Sequence, residues 1–145
     1  MAFRRKSKDA KVRLLGDVAL FRLCTRRELD RIASLAEEIE APEGKVLTRE
    51  GEPGWEFFVV AEGRATAHRG SRKVATIGPG SFFGEMSLLD EGPRSATVTA
   101  DTDMHLLVLS SRSFSQLIDE VPAVARRILR GMAERLRDSE QAPTH

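Results

Sequence analysis

The 145-residue sequence predicts a mainly β fold framed by helices, and three observations carry the prediction. Between Ile39 and Leu109, short apolar runs alternate with turn clusters: Pro42-Glu43-Gly44, Gly51-Glu52-Pro53-Gly54, Glu62-Gly63, Arg69-Gly70-Ser71, Gly78-Pro79-Gly80 and Glu91-Gly92-Pro93. Eight of the 11 glycines fall in these six clusters, so the chain reverses direction there. On either side, apolar residues recur every three or four positions, the period of a helix. Many short strands at turn spacing suit a barrel, a sandwich or a jelly roll.

Taken in order, residues 1–13 hold six Lys/Arg and one Asp, a local +5 in a chain whose formal net charge is +1. Residues 1–12 read as a basic flexible tail; with Phe3 as its sole aromatic it does not resemble an anchor for nucleic acid or lipid. Residues 13–38 read as helical. Thr25 and Glu28 are spaced for a capping box, in which hydroxyl and carboxylate each satisfy an orphan amide. Leu29, Ile32, Ala33, Leu35 and Ala36 then give an apolar face, and Leu14, Leu15, Val18, Leu20, Phe21 and Leu23 an apolar segment to pack on it. Strand candidates follow within residues 39–109: Val46–Arg49, Glu56–Ala61, Arg64–His68, Lys73–Ile77, Ala96–Thr99 and His105–Leu109.

After them the helical period returns over 111–138. Ser110 or Ser111 can cap a helix ending near Glu120, and Pro122 suits the first turn of another. In that last helix Ala125, Ile128, Leu129, Met132, Ala133 and Leu136 form one apolar face. Residues 139–145 read as a loose tail. The whole is one domain over 13–138.

Composition removes several classes of function. The single cysteine, Cys24, excludes an intrachain disulfide framework and any cysteine-built metal or iron–sulfur site. It also fits a reducing cytoplasm. Twenty-three basic and 22 acidic residues nearly cancel, so no whole-protein match to nucleic acid is implied. No apolar run approaches the roughly 20 residues of a membrane span. His68, His105 and His145 are scattered without ligand spacing, and no metal site is expected. Neither a nucleophile elbow nor a phosphate loop is present, so an enzyme is not expected.

The densest chemistry lies between Gly78 and Val98. A strand ends at a glycine, and the short apolar turn Met86-Ser87-Leu88-Leu89 follows. Exposed amides there favour an anion. Gly84 lets a ligand approach the backbone. The planar fork of Arg94 suits phosphate oxygens, and Ser95 adds a hydroxyl. Glu85 would repel a bare phosphate, so it needs a hydroxyl donor beside the anion. A ribose phosphate offers both features. Taken singly, Arg94 could instead pair with Asp90 or Glu91 at the surface, and Glu85 could be an ordinary helix-start carboxylate.

Phe83-Gly84-Glu85-Met86-Ser87-Leu88-Leu89, a short loop, then Arg94-Ser95-Ala96-Thr97-Val98 resembles the phosphate-binding cassette of cyclic-nucleotide-binding domains. The likeness extends over Leu14–Arg137, through Gly51, Phe57-Phe58-Val59-Val60 and Gly63. It implies an eight-stranded β-roll, a jelly-roll-like double-stranded β-helix, with N-terminal helices and two C-terminal helices. By position, Arg94, Ser95 and Ser87 would hold the cyclic phosphate, and Gly84 and Glu85 the ribose. Met86, Leu136 and Ser139 are the candidates for base contact or pocket cover. The ligand would be cAMP in preference to cGMP, with no cofactor and no metal.

The resemblance further implies a cytoplasmic sensor whose C-terminal helices move and signal to a separate, unidentified effector protein. A chain of this length leaves no room for the DNA-binding domain of related transcription factors, so specific DNA binding is not expected. A homodimer through the C-terminal helix is the other candidate partnership. The alternative function is a ligand-independent interaction or dimerisation module with a vestigial pocket. Trp55 is expected as a partly buried loop anchor, and Phe57, Phe58, Phe82 and Phe83 as β-core.

Overall fold

Apolar spacing and capping place the helices where they form. In the computed structural model, which describes residues 8–141, helix α1 spans Lys8–Asp17 and a 3-10 turn spans Ala19–Phe21. Helix α2 spans Arg26–Leu35 and opens on the expected capping box: the Thr25 hydroxyl accepts from the Glu28 amide, and Glu28 accepts from the Thr25 amide. Helix α1 begins inside the stretch expected to be a flexible tail, and residues 1–7 lie outside the described residues. Two contacts explain the early start. Val12 and Leu15, three apart on one face, are buried, and Lys11 Nζ donates to the Ala33 and Ala36 carbonyls at the end of α2.

Eight strands follow: β1 Glu37–Ala41, β2 Val46–Thr48, β3 Glu56–Glu62, β4 Ala65–Arg69, β5 Arg72–Ile77, β6 Phe82–Phe83, β7 Thr97–Ala100 and β8 Met104–Ser110. They form two antiparallel four-stranded sheets, in the orders β1-β8-β3-β6 and β2-β7-β4-β5. A five-residue helix, α3 (Glu85–Leu89), interrupts them between β6 and β7. Helices α4 (Ser111–Glu120) and α5 (Pro122–Gln141) complete the chain.

Two expectations change here. Residues 37 and 38 belong to strand β1 rather than to the preceding helical segment, because Ala36 turns extended and Glu38 pairs with Leu107 of β8. The C-terminal helix runs on to Gln141, three residues past the expected end.

Strand alternation divides the apolar residues between two cores. Phe57, Val59, Phe82, Leu107 and Leu109 face the helices and pack with Phe21, Ile32, Phe114, Leu117, Val124 and Ile128. Phe58, Val60, Phe83, Leu106 and Val108 face the roll interior. Phe58 and Phe83 stack there at 4.7 Å, while Phe57 meets Phe114 of α4 at 4.7 Å on the other side. Each such aromatic contributes about 1.5–3 kcal/mol through burial.

The buried stripe of α5 is narrower than expected. Val124 and Ile128 are covered, but Leu129 and Leu136 are 61% and 63% exposed. The helix meets the roll along one edge of its apolar face and leaves the other edge in solvent. No helix among the described residues is long and apolar enough to cross a membrane.

Candidate functional site

The site is built where β6 ends. Gly84 stands at φ +93°, a left-handed turn that glycine takes freely, and α3 starts at the next residue. A Cβ at Gly84 would lie 2.7 Å from the Glu56 carbonyl oxygen and 2.8 Å from Arg94 Nη1. The position therefore excludes a side chain on two counts, by conformation and by space.

Arg94 follows the α3–β7 loop and turns inward. It is only 7% exposed. Its Nη1 donates to the Gly84 carbonyl at 3.0 Å and to Ser87 Oγ at 2.9 Å, and its Nη2 donates to the Glu56 carbonyl at 2.8 Å. The guanidinium lies 5.8 Å from the Phe58 ring centre. On its other side a Cβ on Gly54 would fall 2.0 Å from Nε, so the β2–β3 loop can pass only as glycine. Burial pulls the Arg94 guanidinium below its ordinary pKa, and the Glu56 and Glu85 carboxylates act in the opposite sense. These donors go to the Gly84 carbonyl and Ser87 hydroxyl of the cassette and to the Glu56 carbonyl of β3, not to Asp90 or Glu91, the surface partners it could have had.

The same inward turn decides Trp55. Trp55, the expected loop anchor, is 70% exposed, since Arg94 and not the indole fills the space against Gly54 at the neighbouring position. Trp55, Gly54, Glu52, Thr48 and Arg94 line a polar cavity of about 200 Å³ between the β2–β3 loop and the cassette.

Glu85 is 2% exposed. Its Oε1 accepts from Nη1 of Arg135 on α5 at 2.7 Å. Arg135 Nη2 also donates to the Phe82 carbonyl, and the guanidinium lies 4.7 Å from the Phe82 ring centre. Sequence reasoning missed Arg135. In the sequence it stands among Arg126, Arg127, Arg130 and Arg137, the cations that fill the positions between the apolar residues of the last helix. Its place in the helix, four residues after Gly131 and seven after the buried Ile128, is the signal that could have singled it out.

The expected residues thus divide. Gly84, Ser87 and Arg94 form one hydrogen-bonded group, and Glu85 joins it through α3. Ser95 is exposed, and its carbonyl accepts from Arg69. Met86 is exposed on α3. Leu136, expected as apolar cover, points away from the core, since Arg135 beside it takes the inward position. The side chain of Ser139 lies outside the described residues. Among the described residues no three His, Cys, Asp or Glu side chains converge as metal ligands.

Comparison with known proteins gives a consistent picture. The family model of the cyclic nucleotide-binding domain matches residues 38–121. The chain is 37% identical over 126 residues to the cyclic AMP receptor protein of Thermus thermophilus, covering 83% of this chain and 58% of that protein. It is 33% identical over 113 residues to the cAMP-dependent protein kinase regulatory subunit of Hypocrea atroviridis, covering 78% of this chain and 24% of that one. The chain therefore spans just over half of one relative and about a quarter of the other. The crystal structure of the Thermus thermophilus catabolite activator protein superposes with a TM-score of 0.75 at 37% identity, over 84% of this chain and 60% of that chain. A structure of Sp-2Cl-cAMPS bound to PKAR CBD2 shares the fold, with a TM-score of 0.77 at 24% identity, over 96% and 98% of the two chains.

Proposed function

The chain belongs to the cyclic nucleotide-binding domain family, and we propose that it binds cAMP, in preference to cGMP, as a regulatory module rather than an enzyme. The observation that carries the reading is the buried Arg94, held between Gly54 and Gly84 beside the buried carboxylate of Glu85. A buried cation whose field includes a buried carboxylate on the same short helix as its Ser87 partner suits a ligand that brings an anion and a hydroxyl together.

In this reading Arg94 and Ser87 take the cyclic phosphate, with Ser95 at its outer edge. The Gly84 backbone and Glu85 take the ribose, and Glu85 Oε2 accepts from the 2′-hydroxyl while Oε1 stays with Arg135. The single charge of a cyclic phosphodiester matches one arginine. Met86 and Leu136 would reach the base only after the last turns of α5 move. A ligand that touches both the cassette and α5 shifts the population of helix positions, since its affinity differs between them. That movement is the output, passed to a separate effector protein, and the module works in the cytoplasm.

Calorimetric titration with cAMP and with cGMP tests the reading, with Arg94→Ala as control. Heat that disappears in the variant supports it; no heat with either nucleotide overturns it. One observation favours a second reading, a dimerisation module with an idle pocket: the exposed edge of α5 carries Leu129 and Leu136. Sedimentation with and without cAMP separates the two readings.

A further inference from the structure

Gly131 sits at the tenth position of a twenty-residue helix, where glycine is the least favourable residue short of proline. It is neither at a cap nor at a left-handed turn, as its absence from the positive-φ glycines shows. What distinguishes it is its neighbour. A Cβ at Gly131 would lie 2.7 Å from Cζ and 3.1 Å from Cε2 of Phe82. The Phe82 ring has little freedom to yield. It is buried, it meets the Phe57 ring at 5.7 Å, and its backbone is paired with Val59 of β3.

Four residues further along the same face, Arg135 covers that ring and reaches both the Phe82 carbonyl and Glu85. One aromatic side chain therefore meets α5 twice: at the bare backbone of Gly131, and at the guanidinium one turn later. Any side chain at 131 must push the helix off the ring and carry the stem of Arg135 with it.

We propose that Gly131 is a positioning residue for the nucleotide site: its missing side chain lets α5 close on Phe82 far enough for Arg135 to hold the carboxylate of Glu85 at the ribose. The inference rests on the binding reading above and adds a residue that touches no ligand. It also has a sign that helix propensity alone opposes. Alanine at 131 favours the isolated helix, yet here it weakens the seating of that helix on the roll.

The test titrates cAMP and 2′-deoxy-cAMP into the unsubstituted protein, Gly131→Ala, Phe82→Leu and the double variant, and follows amide hydrogen exchange across residues 127–137. Thermal melting of each variant establishes that it is folded. The expected result is that Gly131→Ala weakens cAMP about tenfold, equivalent to roughly 1.4 kcal/mol. It leaves 2′-deoxy-cAMP nearly unchanged and speeds exchange in α5. Adding Phe82→Leu, which withdraws the ring edge, recovers most of both effects. A ratio of ribose to deoxyribose affinity that Gly131→Ala does not change overturns the proposal, as does slower exchange in α5. If the unsubstituted protein binds neither nucleotide, the site reading and the role of Gly131 in it both fall. The exchange comparison then still decides whether Gly131 sets the packing of α5.

Discussion

Arg135 and Glu85 stand fifty residues apart in the chain and 2.7 Å apart in space, and the pair joins the last helix to the cassette. The two ends are unequal: Glu85 is buried, and the Arg135 side chain is 46% exposed. Losing the arginine leaves a buried carboxylate without its cation, whereas losing the carboxylate leaves a cation that water can reach. We predict that Arg135→Ala lowers unfolding free energy by about 2 kcal/mol, less than a fully buried pair would lose. Pairing it with Glu85→Gln recovers part of that loss. Urea denaturation measures both, and an unchanged midpoint in Arg135→Ala would mean that water replaces the guanidinium at no cost.

Arg94 makes three hydrogen bonds from one planar group, which a lysine cannot span. Arg94→Lys keeps the charge and loses the geometry. Its cAMP affinity is expected to fall at least about 30-fold, near 2 kcal/mol. Calorimetry checks this, and wild-type affinity in the lysine variant would remove Arg94 from the phosphate contact.

Gly84→Ala combines left-handed strain with a collision against the Glu56 carbonyl and Arg94 Nη1. The expected cost is about 2 kcal/mol or more, since neither neighbour is a free side-chain end. Chemical denaturation reads it directly, and a drop under about 0.5 kcal/mol would show that the turn relaxes.

Glu120 on α4 accepts from Arg31 on α2 through both oxygens, at 2.9 Å each. The guanidinium holds the Glu120 carboxyl below the ordinary carboxylate value. A depressed carboxyl stabilises the fold at pH above its unfolded value, and this contribution fades as pH falls through the folded one. Both side chains are exposed, so that contribution is small and the titration is its more sensitive readout. An NMR titration of Glu120 should show its midpoint rise in Arg31→Ala; an unmoved midpoint would break the assignment.

Cys24 packs beside the helical core, and burial, followed by Glu28, pushes its thiol pKa up while Arg127 pulls the other way. Its thiolate fraction at pH 8 is therefore smaller than that of a free thiol. A chromogenic disulfide reagent should react more slowly with the native protein than with the unfolded chain, and more slowly still in Arg127→Ala. Equal rates would contradict this.

Local chemistry made much of the fold legible. Thr25 and Glu28 announced a helix start because a capping box needs only neighbours in sequence, and Ser110 caps α4 for the same reason. Glycine clusters marked the reversals, and Gly84, Glu85 and Arg94 were in register as a cassette. Strand β1 escaped notice because Glu37-Glu38-Ile39-Glu40 has the composition of a helix end, and pairing with β8 overrides that preference. Strand β6 is two residues long, too short to show any period. Arg135 and the exposure of Trp55 both depend on which long side chain wins an inward position, a competition between segments distant in sequence.

One consequence lies in how the cassette and the two final helices are tied. Arg94 holds the Glu56 carbonyl at the start of β3, Glu56 pairs with Ser110 at the end of β8, and the Ser110 hydroxyl caps α4. Helix α5 then leaves α4 at Val121 and returns to Glu85 through Arg135. Cassette, strands and helices make a closed mechanical linkage rather than an arm fixed at one end. In a closed linkage no member moves alone, and the bend at Val121-Pro122 must accommodate whatever the cassette does. Opening the linkage at Arg135 removes the tie to Glu85 and leaves α5 seated by Val124, Ile128 and Gly131.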